Sequence, residues 1–288
     1  MSSSIRNPIE WSGAQLVNAA HAAEAIGHSV DHMRDTAHSP MPAVRTISNA
    51  EVWQSLRQGF DDFTAYRSDV IFLCSTYALV GLVMARVAFN MDLLPLLFPL
   101  ASGFAIIGPL AAVGLYEMSR MRERGADVGW ANVFDVLKAP AIAGIAALGM
   151  ILIAVFLAWL AVAWMIFDAT MGPDLPTSAS AFARDVFFTP QGQMMIALGM
   201  GVGFCFALLA MMLSVVSFPM LVDRDAGLDT AIRTSFRAVI ANPGPMALWG
   251  LVVAGALLVG TAFVFVGLMV AVPVLGHATW HLYRKLVA

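Results

Sequence analysis

Between residues 244 and 283 the chain carries no Asp, Glu, Lys or Arg, and this stretch belongs to an apolar tract running from about 244 to 286. As one helix rising about 1.5 Å per residue, the tract would measure roughly 60 Å. That is twice the about 30 Å of hydrocarbon in a bilayer. The tract is therefore expected to fold back through a tight turn near Gly260 to Gly267 and to supply two spans. Four further apolar runs, at about 69–89, 93–119, 140–167 and 192–222, each reach the roughly 20 residues that one crossing needs. The prediction is an all-α, polytopic membrane protein with about six transmembrane helices. Composition agrees, since 59% of residues are hydrophobic and only 12% charged, against about 25% charged in soluble domains. A soluble fold of this size has no means of hiding that much apolar surface.

Lys and Arg placement sets the expected orientation. With a cytoplasmic N-terminus, the inside segments hold Arg57, Arg67, Arg120, Arg122, Arg124, Lys138, Arg224, Arg233, Arg237, Arg284 and Lys285. The outside segments hold only Arg86, at a span end, and Arg184, beside Asp168, Asp174 and Asp185 in the 168–191 loop. Both termini are expected in the cytoplasm of a bacterium, with the spans in its inner membrane, and an even number of crossings agrees. No cleavable signal peptide is visible, so the first apolar span is expected to drive insertion.

The inside connections share a design. Ser48-Asn49-Ala50-Glu51 fits a capping box, followed by Val52, Trp53, Leu56, Phe60 and Phe63 at helical spacing. The second connection, Asp127 to Lys138, places Trp130, Val133, Phe134 and Leu137 on one face. The third has Leu228, Ala231, Ile232, Ser235, Phe236 and Val239 before Asn242-Pro243-Gly244-Pro245. Each reads as an amphipathic elbow helix lying at the headgroups before a hairpin of spans. This makes three elbow-plus-hairpin units; an internal triplication and a shared physical demand explain the pattern equally well. Residues 47–288 form the six-span domain, and residues 1–46 a variable cytoplasmic arm with a weak apolar stripe ended by Pro40 and Pro42.

Ionisable groups inside spans are functional candidates by default, and this chain has none beyond the span ends. Glu117 and Tyr116 lie about one turn from the cytoplasmic end of the second span. His277 and His281, at i and i+4, share one helix face, a spacing that metal sites use. The plainer account is that they anchor the helix end together with Trp280 and Tyr283, as Trp53 and Trp130 anchor their elbows. His21, His28 and His32 read as a solvated face of the arm. Most of the 18 methionines read as packing residues. Cys74 and Cys205 sit singly in apolar runs and offer no disulfide or redox pair. Gly199 and Gly203 form a small-xxx-small pair that favours close helix packing. No Ser/His/Asp triad, HExxH or P-loop is present, so no enzyme activity, cofactor or nucleic-acid partner is expected; the lipid bilayer is.

Leu93 to Leu100, Gly108-Pro109-Leu110 through Tyr116-Glu117, Val216-Ser217-Phe218-Pro219 through Asp223-Arg224-Asp225, and Pro273 through His277, Trp280, His281 and Arg284 together carry a family signature. From about Arg45 onward the sequence resembles the bacterial integral membrane family catalogued as domain of unknown function 2189. The resemblance implies no established activity and no catalytic residues. Some members are labelled cytochrome c oxidase subunits, which implies association with a respiratory terminal oxidase. The expectation is a non-catalytic accessory subunit or assembly factor of such an oxidase; a small-solute transporter or channel of the inner membrane is the alternative.

Overall fold

The structure is a computed structural model that describes residues 39–65, 93–126, 135–137, 139–176, 178–262 and 265–288, with separate positions within 27–36 and 75–89. Trp130 and most of its elbow, Cys74, His21, His28, His32 and most of the 69–89 run lie outside the described residues.

The first described helix, α1 (Asn49–Ala65), begins where the capping box places it. Glu51 Oε2 accepts from the Ser48 backbone N–H at 2.7 Å, and the Glu51 N–H donates to Ser48 Oγ at 3.3 Å. Two donors that the helix start leaves open are thereby satisfied reciprocally. The Ser48 backbone N–H, then its hydroxyl, hold the Glu51 carboxyl below its ordinary value of 4.5. This contribution is complete above that value and is lost as pH falls through the lower folded-state value. Ser48→Ala should cost about 1 kcal/mol, seen as a lowered thermal midpoint in detergent at neutral pH; an unchanged midpoint would deny the cap any role.

The 93–119 run forms a short 3-10 turn at Leu94–Leu96, then α2 (Leu97–Ala111) and α3 (Val113–Glu123). Leu94–Gly103 and Ala105–Ala111 meet at a bend of 40°, and Pro109 removes one further backbone donor. The next helices are α4 (Ile142–Met171), α5 (Ala179–Phe188), α6 (Pro190–Ser214), α7 (Ser217–Asp223), α8 (Leu228–Ala241), α9 (Pro243–Ala262) and α10 (Leu268–Leu286). Among the described residues three stretches, α4, α6 with α7, and α9, are long and apolar enough to cross a membrane, and the bent α2 region raises this to four. Their outward positions are apolar: Met150, Leu157 and Met165 on α4, Met200 and Phe204 on α6, and Leu251 and Leu258 on α9 are all exposed. In water this surface would be untenable; against acyl chains it costs nothing.

The long C-terminal tract folds back as expected. α9 ends at Ala262 and α10 starts at Leu268, with Phe265 at φ 64° in the turn. The two arms of the reversal touch glycine to glycine, since a Cβ on Gly267 would lie 2.7 Å from the Gly260 Cα. The loop at 168–191 contains α5, which its sequence did not announce. Ser178 caps α5 by accepting from the Ala181 N–H, and Thr189 Oγ1 caps α6 by accepting from the Gly192 N–H.

Both ends of the membrane domain meet. Val44 and Val287 form an isolated antiparallel bridge, with Arg45 N donating to Leu286 O at 2.8 Å and Ala288 N to Ala43 O at 3.1 Å. Asn242, almost fully buried, accepts from Ile47 N at 2.7 Å and donates to Arg45 O and Ala238 O. Ser39 joins the start of α8, its hydroxyl accepting from Gly227 N and its carbonyl from Thr230 Oγ1. Residues 39–46, which the sequence reading places in the arm, are thus bonded to α8, to Asn242 at its end and to residues 286–288 at the end of α10.

Candidate functional site

The buried face of α1 takes in Val52 and Phe63 of the expected apolar stripe but is turned away from Trp53 and Phe60. Val52, Ser55, Gly59, Asp62 and Phe63 are buried, whereas Trp53 and Phe60 are about half exposed. Small residues explain the choice. A Cβ on Gly59 would lie 2.5 Å from the backbone N of Ala278, so α1 and α10 cross almost in backbone contact. Gly276, two residues before Ala278 and on another face of α10, lies equally close to α3, where a Cβ would meet the Leu115 side chain at 2.7 Å. Three helices are brought close enough for short polar side chains to reach one another.

Asp62 stands at their junction and is only 5% exposed. Its Oδ1 accepts from Arg122 Nη1 at 2.8 Å, and its Oδ2 from Ser119 Oγ at 2.6 Å and His281 Nε2 at 2.9 Å. Ser119 has one hydroxyl proton and gives it to Asp62. The 2.8 Å contact between Ser119 Oγ and His277 Nδ1 is therefore a bond that His277 donates. The result is a continuous chain from His277 through Ser119 and Asp62 to His281, braced by Arg122. Burial pushes the Asp62 carboxyl up, but the hydrogen bonds from His281 and Ser119, with the electrostatic influence of His281 and His277, outweigh it, so it sits below its ordinary value of 3.8.

A second set adjoins the first. Tyr283 donates to Asp223 Oδ2 at 2.8 Å and accepts from Arg224 Nε at 2.9 Å. Trp280 Nε1 donates to Glu123 Oε2 at 3.0 Å, and Arg284 bridges Glu123 and Asp223. Glu117 pairs with Arg120 at 2.7 Å, and Arg120 also donates to Val222 O. Arginines from α3, the α7 end and the α10 end, which charge placement assigns to one side of the membrane, converge here in one layer.

His277 and His281 share a face, as their spacing predicts, and both turn toward Asp62. Among the described residues no group of three or more His, Cys, Asp or Glu side chains is arranged to hold a metal. Trp280 and Tyr283 are fully buried between helices, so they tie α10 to α3 and α7 instead of facing headgroups; Trp53 does face outward. Gly203 packs against Trp159, where a Cβ would meet the indole at 3.1 Å, whereas Gly199 has open space before it. Cys205 is free and exposed. Asp62 and Ser119 are absent from the sequence reading, which names Asn242 only as the start of a turn; the signal for Asp62 was its register with Ser55 and Gly59, a small and polar stripe away from Trp53 and Phe60.

Long helices with apolar outward faces and a paired polar layer at one end define an α-helical integral membrane protein. Residues 97–223 are similar to the family described as "Predicted integral membrane protein (DUF2189)". The comparisons with curated proteins and with solved structures found no match.

Proposed function

We propose that this protein is a non-catalytic accessory subunit or assembly factor of a larger complex in the bacterial inner membrane, with both termini cytoplasmic. The observation that carries the reading is the use made of the ionisable groups. Asp62, Glu123 and Asp223 are each spent on arginine, histidine, serine, tryptophan or tyrosine of a neighbouring helix, and Glu117 holds Arg120 of its own helix, which donates to Val222 O. Such a layer joins helices; a coupling site for transport would place polar groups on a path through the spans. The open glycines Gly199 on α6 and Gly255 on α9 offer outward faces that a partner's helix can approach closely. The family label makes a terminal oxidase of the cytochrome c oxidase type the complex to test.

The test is a mild-detergent pull-down from native membranes through a tag after Ala288, with mass spectrometry and a visible spectrum of the eluate. Oxidase subunits in stoichiometric amount with a haem spectrum are expected. A colourless eluate holding this chain alone would sink the reading and make the transporter alternative the next to assay.

A further inference from the structure

Between α1, α9 and α10 lies a groove of about 580 Å³, within the about 300–1,000 Å³ of small-molecule sites. Its walls are apolar: Leu56 and Phe60 from α1, Val252 and Ala256 from α9, Val270 and Val274 from α10. Its one polar edge is Arg57 and Asp61 on α1. Along α10 the groove runs from Leu275 back to Val270, away from the polar layer and into the apolar tract. Trp53 and Phe60 point outward from α1, which sets this helix at the level of the headgroups. Arg57 therefore stands at headgroup height while the groove below it opens toward hydrocarbon.

Both edge side chains are exposed, and neither Arg57 nor the Asp61 carboxylate has a hydrogen-bond or ion-pair partner among the described residues. They are i and i+4 on one helix, with Cβ atoms about 5–6 Å apart. A guanidinium recognises phosphate, and a carboxylate one turn away repels a purely anionic headgroup but accepts an ammonium. We propose that the groove is a binding site for a glycerophospholipid with a primary-ammonium headgroup: an acyl chain fills the apolar trough, the phosphate meets Arg57, and the ammonium meets Asp61. The assignment stands apart from the identity of any protein partner, because it needs only that the chain be embedded in a bilayer.

The experiment is native mass spectrometry of the full chain, purified in detergent and offered equimolar dioleoyl phosphatidylethanolamine, phosphatidylcholine and phosphatidylglycerol. Phosphatidylethanolamine should be retained about tenfold over the other two, the ratio that one charge-assisted hydrogen bond supplies. Val270→Trp and Ala256→Trp fill the trough and should abolish retention with the thermal midpoint kept. Asp61→Asn should bring phosphatidylethanolamine down to the phosphatidylcholine level, and Arg57→Ala should weaken all three lipids. Arg57→Ala changes an exposed side chain and so carries the test where a tryptophan variant fails to fold. Equal retention of the three lipids, preference for phosphatidylglycerol, or indifference to Arg57→Ala would overturn the proposal.

Discussion

Asp62→Ala should lower the stability of the purified protein by roughly 3–5 kcal/mol, the cost of removing one partner from a buried, hydrogen-bonded charge pair. Four groups lose a partner at once: Arg122, Ser119, His281 and, through Ser119, His277. Arg122 is more than a third exposed and can turn to water, so Arg122→Ala should cost less than Asp62→Ala. Ser119 and His277 are fully buried and have no such escape. The pH dependence has a definite sign. The folded-state carboxyl is depressed below its ordinary value of 3.8, so its contribution is whole at neutral pH and is lost as pH falls through the folded-state value. Wild type should therefore converge toward Asp62→Ala only under strongly acid conditions. Thermal midpoints of both proteins in one detergent, measured from pH 7 down to pH 3, check this; a constant or widening gap would show that charge plays no part in the junction.

The second large effect lies one turn away. Gly59→Val should separate α1 from α10, because a Cβ at this position meets the Ala278 backbone N at 2.5 Å and Cα at 2.7 Å. Overpacking typically costs about 1–3 kcal/mol where a side chain can yield; here the obstacle is main chain, so the upper end or beyond is expected. Trimming the partner should not help. Ala278→Gly removes the Cβ but leaves the N and Cα that make the clash, so the double variant Gly59→Val with Ala278→Gly should remain as unstable as the single one. Full rescue would mean that the helices cross at a greater distance. Because the crossing also delivers Asp62 to Ser119 and His281, Gly59→Val should weaken the pH dependence described above as well as the stability.

The two effects mark where a linear reading succeeds. The capping box at Ser48 and Glu51, the reversal near Gly260 to Gly267, and the pairing of His277 with His281 on one face are local matters, decided within a few residues of one helix or turn. The burial of Asp62 is not local. On α1 the apolar stripe of Val52, Trp53, Leu56, Phe60 and Phe63 is the more conspicuous one, and a lone helix would turn all of it inward, whereas only Val52 and Phe63 are buried. In the folded chain the Ser55, Gly59 and Asp62 stripe goes inward, because α10 can approach so closely only where side chains are small. Trp280 and Tyr283 show the same limit: aromatic residues at a span end read as headgroup anchors, yet α3 and α7 supply Glu123 and Asp223 to receive their donors.

What the sequence by itself determined is the solvent and the class. Apolar runs longer than any soluble core can bury demand a bilayer, and a bilayer admits helices that satisfy their own backbone groups. Charge placement then gathered the arginines that the fold places in one layer. Tertiary structure alone decided which acidic groups Arg122 and Arg284 meet, that residues 43–45 lie along 286–288, and that Arg57 and Asp61 are left at the edge of an apolar groove. Those contacts join residues 60 to more than 200 positions apart, and their geometry depends on where three helices can touch, which no periodicity within one helix encodes.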